Sequence, residues 1–248
     1  MTPVRVPRIH VEAIPEAGGT LALPAAAADH VVRVLRLATG DALELFDGRG
    51  RACSASIVSS SRNRIGVAIG DEAPPADRES PLHITLAQAM ARGEKMDAIV
   101  RMATELGVAR FVPLATARSG IRLDDERAAR RTGHWRAVAI AACEQCGRNR
   151  LPALDPPVRL DEFLADATQQ PGLKLVFAPD GARGIADLRV DSGVTVAIGP
   201  EGGFASEEIE RLRGGGFEAI RLGPRILRTE TAGAAVLAAL QSRFGDLG

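Results

Sequence analysis

The sequence predicts a two-part protein: a short all-β unit followed by an α/β domain with a mainly parallel sheet. Three observations carry this. Apolar and polar residues alternate loosely up to about residue 70, residues 71–81 are proline-rich and aperiodic, and from Leu82 onward strand-like and helix-like runs alternate. The expected division is 1–72, a linker at 73–81, and 82–248.

In the first part, residues 25–38 carry Val31, Val32 and Leu35 behind an Ala-rich start and predict a helix closed by Gly40. Strands are expected at 42–46, 52–58 and 64–69, with a hairpin signal at Asp47-Gly48. A small β-barrel is the economical arrangement. In the second part, 82–87 reads as a strand, and Met96, Ile99, Ala103 and Leu106 share one helical face that ends at Gly107. A strand at 110–115 precedes a long helix over 124–146, with Trp135, Val138, Ala142 and Cys146 at helical spacing. Then come a helix at 160–167, a strand at 173–178, a helix at 206–213 and a last helix at 229–244.

At 46% hydrophobic and 25% charged residues, the 248-residue chain has the composition of a soluble globular protein. It has no apolar run long enough to span a bilayer and no hydrophobic signal core, so the expected compartment is the cytoplasm. Three cysteines suggest reduced thiols, not a disulfide framework. Net charge is zero, but residues 82–155 hold 12 basic against 8 acidic side chains, and 156–248 hold 10 against 13. The arginines of that middle region (118, 122, 127, 130, 131, 136, 148 and 150) either meet phosphates or form a solvated helix face.

Two late stretches organise the rest: residues 194–204, Val-Thr-Val-Ala-Ile-Gly-Pro-Glu-Gly-Gly-Phe, and residues 222–232, Leu-Gly-Pro-Arg-Ile-Leu-Arg-Thr-Glu-Thr-Ala. Each breaks at Gly-Pro and leads into helix-start chemistry, and the two breaks are expected side by side in one sheet, where α/β proteins hold small ligands. Neither a Walker loop nor a dinucleotide fingerprint is present. Ser206 is the expected N-cap of a helix whose first turn carries Glu207 and Glu208, which repels phosphate and suits a neutral or cationic ligand. A plain glycine-rich turn is the competing reading. Arg225, Arg228, Thr229, Glu230 and Thr231 crowd one loop-to-helix junction, with Thr229 as the cap or the whole junction as a site.

Cys143 and Cys146, with Cys53 far off in the chain, do not complete a four-ligand metal site. Glu144, Gln145, Arg148, Asn149 and Arg150 beside them are hydrogen-bonding groups suited to a phosphate or a base edge. The four histidines (10, 30, 83 and 134) read as structural or solvated, and a single Trp without any Tyr weakens an RNA reading based on stacking.

Several segments together resemble the RsmE family of ribosomal small subunit methyltransferases, which make 3-methyluridine in 16S rRNA. They are Lys95-Met96, Thr104-Glu-Leu-Gly-Val108, Ala141-Ala-Cys-Glu-Gln-Cys-Gly-Arg148, Ile198-Gly-Pro-Glu-Gly-Gly203, Leu222-Gly-Pro-Arg-Ile-Leu-Arg-Thr-Glu-Thr231 and the closing Arg243-Phe-Gly-Asp246. The resemblance spans essentially the whole chain. It implies a PUA-like RNA-binding β-barrel followed by a SPOUT α/β domain whose C-terminal segment threads a trefoil knot, a homodimer, and S-adenosylmethionine as cofactor. The implied cofactor residues are Phe177, Ala178, Pro179, Ile198, Gly199, Pro200, Glu201, Gly202, Gly203, Leu222, Gly223, Arg225, Ile226, Leu227, Arg228, Thr231 and Ala232. A branched side chain at Gly202 is expected to fill the ligand's space.

Because uracil N3 carries a proton at neutral pH, a carboxylate base or a cation that stabilises the uridine anion is needed. Glu201 or Glu230 is the expected base and Arg228 the cation. Arg8, Arg33, Arg36, Arg118, Glu144, Gln145, Arg148 and Arg150 are the expected grips on the 16S rRNA. The rival expectations are an RNA-binding assembly factor that keeps the fold without catalysis, and a SPOUT enzyme acting on another RNA.

Overall fold

The computed structural model describes residues 6–61, 64–74, 78–120, 124–178 and 181–248. The chain forms two compact units: Met1–Glu79 with Ile140–Leu151, and Ser80–Ala139 with Pro152–Gly248. The return of residues 140–151 to the first unit is invisible to a linear division, because those residues start inside a continuous helix.

In the first unit, β1 (Arg8–His10), β2 (Thr20–Ala22), β3 (Ala42–Phe46), β4 (Ala52–Ser61) and β5 (Arg64–Glu72) form a sheet in the order β1-β3-β4-β5-β2. β1 runs parallel to β3 and the remaining pairs are antiparallel. Asp47 shapes the β3–β4 turn, its Oδ1 accepting from the backbone N–H of Arg49 at 2.8 Å and of Arg51 at 3.1 Å. Ile9, Leu43, Leu45, Ile57, Ile65 and Val67 fill the core with Val31.

The helix expected over 25–38 is shorter. Helix α1 covers Ala25–Asp29, and His30–Val34 continues as one wider π turn in which Leu35 N–H reaches His30 O at 3.0 Å. The β-branched residues Val31, Val32 and Val34 crowd a regular helix. Arg36 then adopts φ 56°, and only beyond it does the chain turn toward β3.

The second unit is built on a fully parallel sheet in the order β12-β10-β11-β6-β7-β8, with β9 also on β7. Its strands are β6 (Ile84–Ala89), β7 (Arg110–Ala115), β8 (Ala153–Leu154), β9 (Val158–Arg159), β10 (Leu173–Phe177), β11 (Val194–Ile198) and β12 (Glu218–Ile220). Every residue of β6 and β11 is buried, as both faces of the sheet carry helices. On one face Leu86, Leu175, Val196 and Ile220 meet α2 (Lys95–Glu105) and α6 (Thr229–Phe244) through Ile99, Val100, Val236, Leu237 and Leu240. On the other, Ala87, Val112, Val176 and Ala197 meet Leu160 and Phe163 of α4 (Leu160–Ala167) and Leu212 of α5 (Ser206–Gly214). Helix α3 spans Asp125–Cys146.

One expectation changes. The two Gly-Pro stretches do not end neighbouring strands, because β10 lies between β11 and β12. The strand before the second stretch is Glu218–Ile220, upstream of Leu222 and too short and polar to announce itself. Three adjacent strand ends, instead of two, therefore face the ligand side.

Candidate active site

Beyond the carboxyl ends of β10, β11 and β12 lies a hollow of about 330 Å³. Phe177 and Ala178 form its β10 wall and residues 198–203 its β11 wall, while residues 221–227, Thr229 and Ala232 close the third side. Of the expected cofactor residues, Arg228 and Thr231 do not line it, and Pro179 lies outside the described residues. Arg221 lines it without having been expected, and Pro224 and Thr229 line it as parts of the expected junction.

The glycines act in different ways. Gly203 (φ +67°) and Gly223 (φ +70°) take left-handed backbone and would direct a Cβ into open space. A Cβ on Gly199 would stand 2.9 Å from the backbone nitrogen of Phe204, so this glycine permits the tight turn itself. Gly202 also lines the hollow, and its Cβ position lies 3.3 Å from Cδ of Arg118. The hollow is also furnished with apolar groups, Leu222, Ile226 and Leu227.

The two late segments are held together by a buried strut. Gln88, at the end of β6, donates from Nε2 to Thr229 Oγ1 at 2.8 Å, and that hydroxyl donates to the carbonyl oxygen of Gly199 at 2.6 Å. Thr229 is therefore not the helix cap; Arg228 occupies the cap position, and its side chain makes no capping hydrogen bond. Ser206 likewise is not the cap of α5. Ala205 holds that position, and Glu208 reaches back to the Ala205 N–H at 2.8 Å while its other oxygen accepts from the Ala117 N–H, also at 2.8 Å. Buried Glu208 thus fastens the loop after β7 to the glycine loop, and Arg118 adds a second tie through Nη1 to Gly202 O at 2.7 Å.

At the mouth, Lys95 Nζ stands 2.8 Å from Glu201 Oε1 and 3.7 Å from Glu230 Oε2. Sequence reasoning placed Lys95 in the family resemblance only, not in the site. Its hydrogen bond holds the Glu201 carboxyl below the usual carboxylate range, and Glu201 in turn raises the Lys95 ammonium above its ordinary value. The same hydrogen bond makes Glu201 a weaker proton acceptor than a free glutamate. Glu230 Oε2 is buried and receives no hydrogen bond among the described residues. Arg225 and Arg228 are exposed.

The expected RNA grips separate into two groups. Arg8 and Arg148 are only 5% and 6% exposed. Arg8 donates to Glu44 Oε1 at 2.7 Å, to the carbonyl oxygens of Cys143 and Arg148, both at 3.2 Å, and to Asn149 Oδ1. Arg148 pairs with Glu79 at 3.0 Å, and the same carboxylate accepts from the N–H groups of Asn149 and Arg150 at 2.7 and 2.8 Å. These two guanidiniums hold the first unit together and are not presented to RNA. Glu144 accepts from the His10 N–H at 3.1 Å, and burial pushes its carboxyl up. Arg33, paired with Asp29 at 2.7 Å, and Arg36, Arg118, Gln145 and Arg150 remain at the surface. A hydrogen bond with Cys146, and then burial, raise the Cys143 thiol. No group of three or more potential metal ligands occurs among the described residues, and none of their helices is long and apolar enough to cross a membrane.

Comparison with known proteins fits this geometry. Residues 78–241 match the RNA methyltransferase domain family, and residues 23–69 match the RNA methyltransferase PUA domain. The ribosomal RNA small subunit methyltransferase E of Buchnera aphidicola subsp. Schizaphis graminum is 33% identical, with 98% of each chain covered. A methyltransferase of Legionella pneumophila solved with bound SAM is 41% identical at a TM-score of 0.93, covering 98% of this chain and 100% of that one. The ribosomal RNA small subunit methyltransferase E of Neisseria gonorrhoeae, bound to S-adenosyl methionine, is 35% identical at a TM-score of 0.90 with the same coverage. With an α/β domain, a PUA domain and relatives alike from end to end, the chain belongs to the ribosomal RNA small subunit methyltransferase E family, a family of RNA methyltransferases.

Proposed function

We propose that the chain binds S-adenosylmethionine in the hollow at β10, β11 and β12 and methylates N3 of one uridine in the 16S rRNA of the small ribosomal subunit. The observation that carries this is the hollow itself: backbone and apolar groups on its walls, left-handed glycines opening space at Gly203 and Gly223, and the ionised Glu201 among its lining residues. That donor set suits an adenosine moiety and a sulfonium, and it offers no phosphate cradle. When bound there, the cofactor supplies an electrophilic methyl group. Leu222, Ile226 and Leu227 give apolar contact, and residues 198–203 give backbone hydrogen-bonding groups.

Residues of the mouth handle charge and the proton. Glu201, kept ionised by Lys95, provides the counter-charge to a cationic ligand. Glu230 is the better acceptor for the N3 proton, supported by its buried oxygen without a hydrogen bond and its longer separation from Lys95. Arg228, exposed at the head of α6, suits the anionic carbonyl oxygens of the deprotonated uracil. The first unit, with its PUA match, supplies RNA contact through its surface arginines Arg33 and Arg36.

A SPOUT-type threaded C-terminus and closure of the first sheet into a barrel belong to the same reading. The threading is supported by the path of the chain, which leaves β11, crosses β10 to enter β12, and returns so that α6 packs on β6, β11 and α2. A homodimer is supported by Ile226, which is 87% exposed beside the hollow. Reduced cysteines support a cytoplasmic setting. The test is a methylation assay, mapped by mass, on small subunits from a strain lacking this protein. Transfer to a single uridine N3 is the expected result; heat of S-adenosylmethionine binding without transfer to any small-subunit uridine would defeat the assignment.

A further inference from the structure

The loops leaving β6 and β7 enclose a second hollow, of about 560 Å³. It lies at the same carboxyl edge of the sheet as the first, since the order β12-β10-β11-β6-β7 puts the first across three strands and the second across the next two. Residues 198–203 divide them. From the second hollow's side the Arg92 N–H donates to Glu201 Oε1 at 3.2 Å, and Arg118, next to the lining residue Ser119, donates to Gly202 O.

The chemistry of the second hollow differs from that of the first. Met90, Met96 and Trp135 contribute buried apolar surface, and Arg92, Arg131 and His134 stand among its polar lining. Neither Arg92 nor Arg131 forms an ion pair with a described residue. Two acidic residues also line it, but Asp97 is engaged with His134 Nε2 at 2.7 Å, and Glu94 is exposed to solvent. Gly120 (φ +65°) leaves room for the Arg92 guanidinium, whose Nη2 lies 3.4 Å from where a Cβ would stand. Two guanidiniums with no ion pair among the described residues, at one hollow, match an RNA phosphate.

We propose that the second hollow is a subsite for an RNA nucleotide flanking the one to be methylated, with Arg92 and Arg131 on its phosphate. This rests on the first hollow being the methyl-donor site. The glycine loop then has the donor on one side and the RNA strand on the other, which brings the target base to the shared mouth at Glu201 and Lys95.

The test compares Arg92→Ala, Arg131→Ala and the double variant with the unsubstituted protein in direct binding to small subunits over a range of salt. Each single variant is expected to bind RNA about tenfold more weakly, the loss typical of one charged hydrogen-bonding partner. The slope of log affinity against log salt is expected to shrink by roughly 0.7 to 0.9 for each lost contact. Arg131→Lys should recover part of the affinity, and S-adenosylmethionine affinity, unchanged within about twofold, shows that the variants are folded. A double variant with the original RNA affinity and salt slope overturns the subsite. The proposal for the first hollow fails separately: no methyl transfer by the unsubstituted protein, with the slope still shrinking in the variants, removes the donor reading and keeps the RNA site.

Discussion

Thr229 Oγ1 donates a 2.6 Å hydrogen bond to the carbonyl oxygen of Gly199, 30 residues earlier in the chain. Because the same hydroxyl accepts from Gln88 Nε2, one side chain joins the central strand, the glycine loop and the last helix. The walls of the hollow are thereby set before any ligand arrives, which is the arrangement that keeps the ordering cost of binding low.

Thr229→Val keeps the shape of the side chain but removes both hydrogen bonds, leaving the Gln88 amide and the Gly199 carbonyl without this partner. Buried groups stranded in this way cost about 1–3 kcal/mol. Thermal unfolding should show that loss, and titration calorimetry should show S-adenosylmethionine binding weakened roughly tenfold. Thr229→Ser, which retains the hydroxyl, should restore most of both; an unaltered affinity in the Val variant would mean that the strut does not shape the hollow.

Lys95→Met should shift the acid limb of cofactor binding. Glu201 is held below the ordinary carboxylate range chiefly by its hydrogen bond from Lys95. A depressed carboxyl contributes above its unfolded pKa and stops contributing as pH falls through the folded one. Without Lys95 the carboxyl returns toward its ordinary value and protonates at a higher pH. The pH at which a cationic ligand begins to be lost should therefore move up. Calorimetric affinities measured from pH 3 to 7 check this; coincident limbs in the two proteins would remove Glu201 as the counter-charge.

Sequence periodicity located β7, α4 and α6 at their observed bounds, because these segments carry runs long enough to show a period. The Gly-Pro breaks picked out the two late segments, and the family resemblance implied most of the residues that line the hollow. Periodicity missed β12, a three-residue strand with a glutamate and an alanine in it, and so placed the two loops side by side. Lys95, Gln88 and Glu208 were not readable as site-shaping residues, since each acts on a partner more than 90 positions away. Arg8 and Arg148 misled for a related reason: an arginine reads as a surface group until the carboxylates of Glu44 and Glu79 are found against them.

Gly202→Val should weaken cofactor binding through Arg118, not by occupying the ligand's space. The Cβ position of Gly202 lies 3.3 Å from Arg118 Cδ, and the guanidinium of that arginine is tied to Gly202 O at 2.7 Å. The added branch has to push the arginine or the loop aside. In a double-mutant cycle, Arg118→Ala should relieve much of the valine's effect, giving a coupling of about 0.5–3 kcal/mol in cofactor affinity. Additive effects would return the valine to the hollow itself.

Arg148→Ala separates a structural role from RNA contact. Its guanidinium is buried against Glu79, whose carboxylate also accepts from two backbone N–H groups. Removing the cation leaves Glu79 partly buried without its charge partner, and losing one member of a buried ion pair typically costs about 3–5 kcal/mol, less here because Glu79 is a quarter exposed. A lower melting temperature is therefore expected, with the salt slope of RNA binding unchanged at temperatures where the variant is folded. A smaller slope with undiminished stability would put Arg148 back among the phosphate contacts.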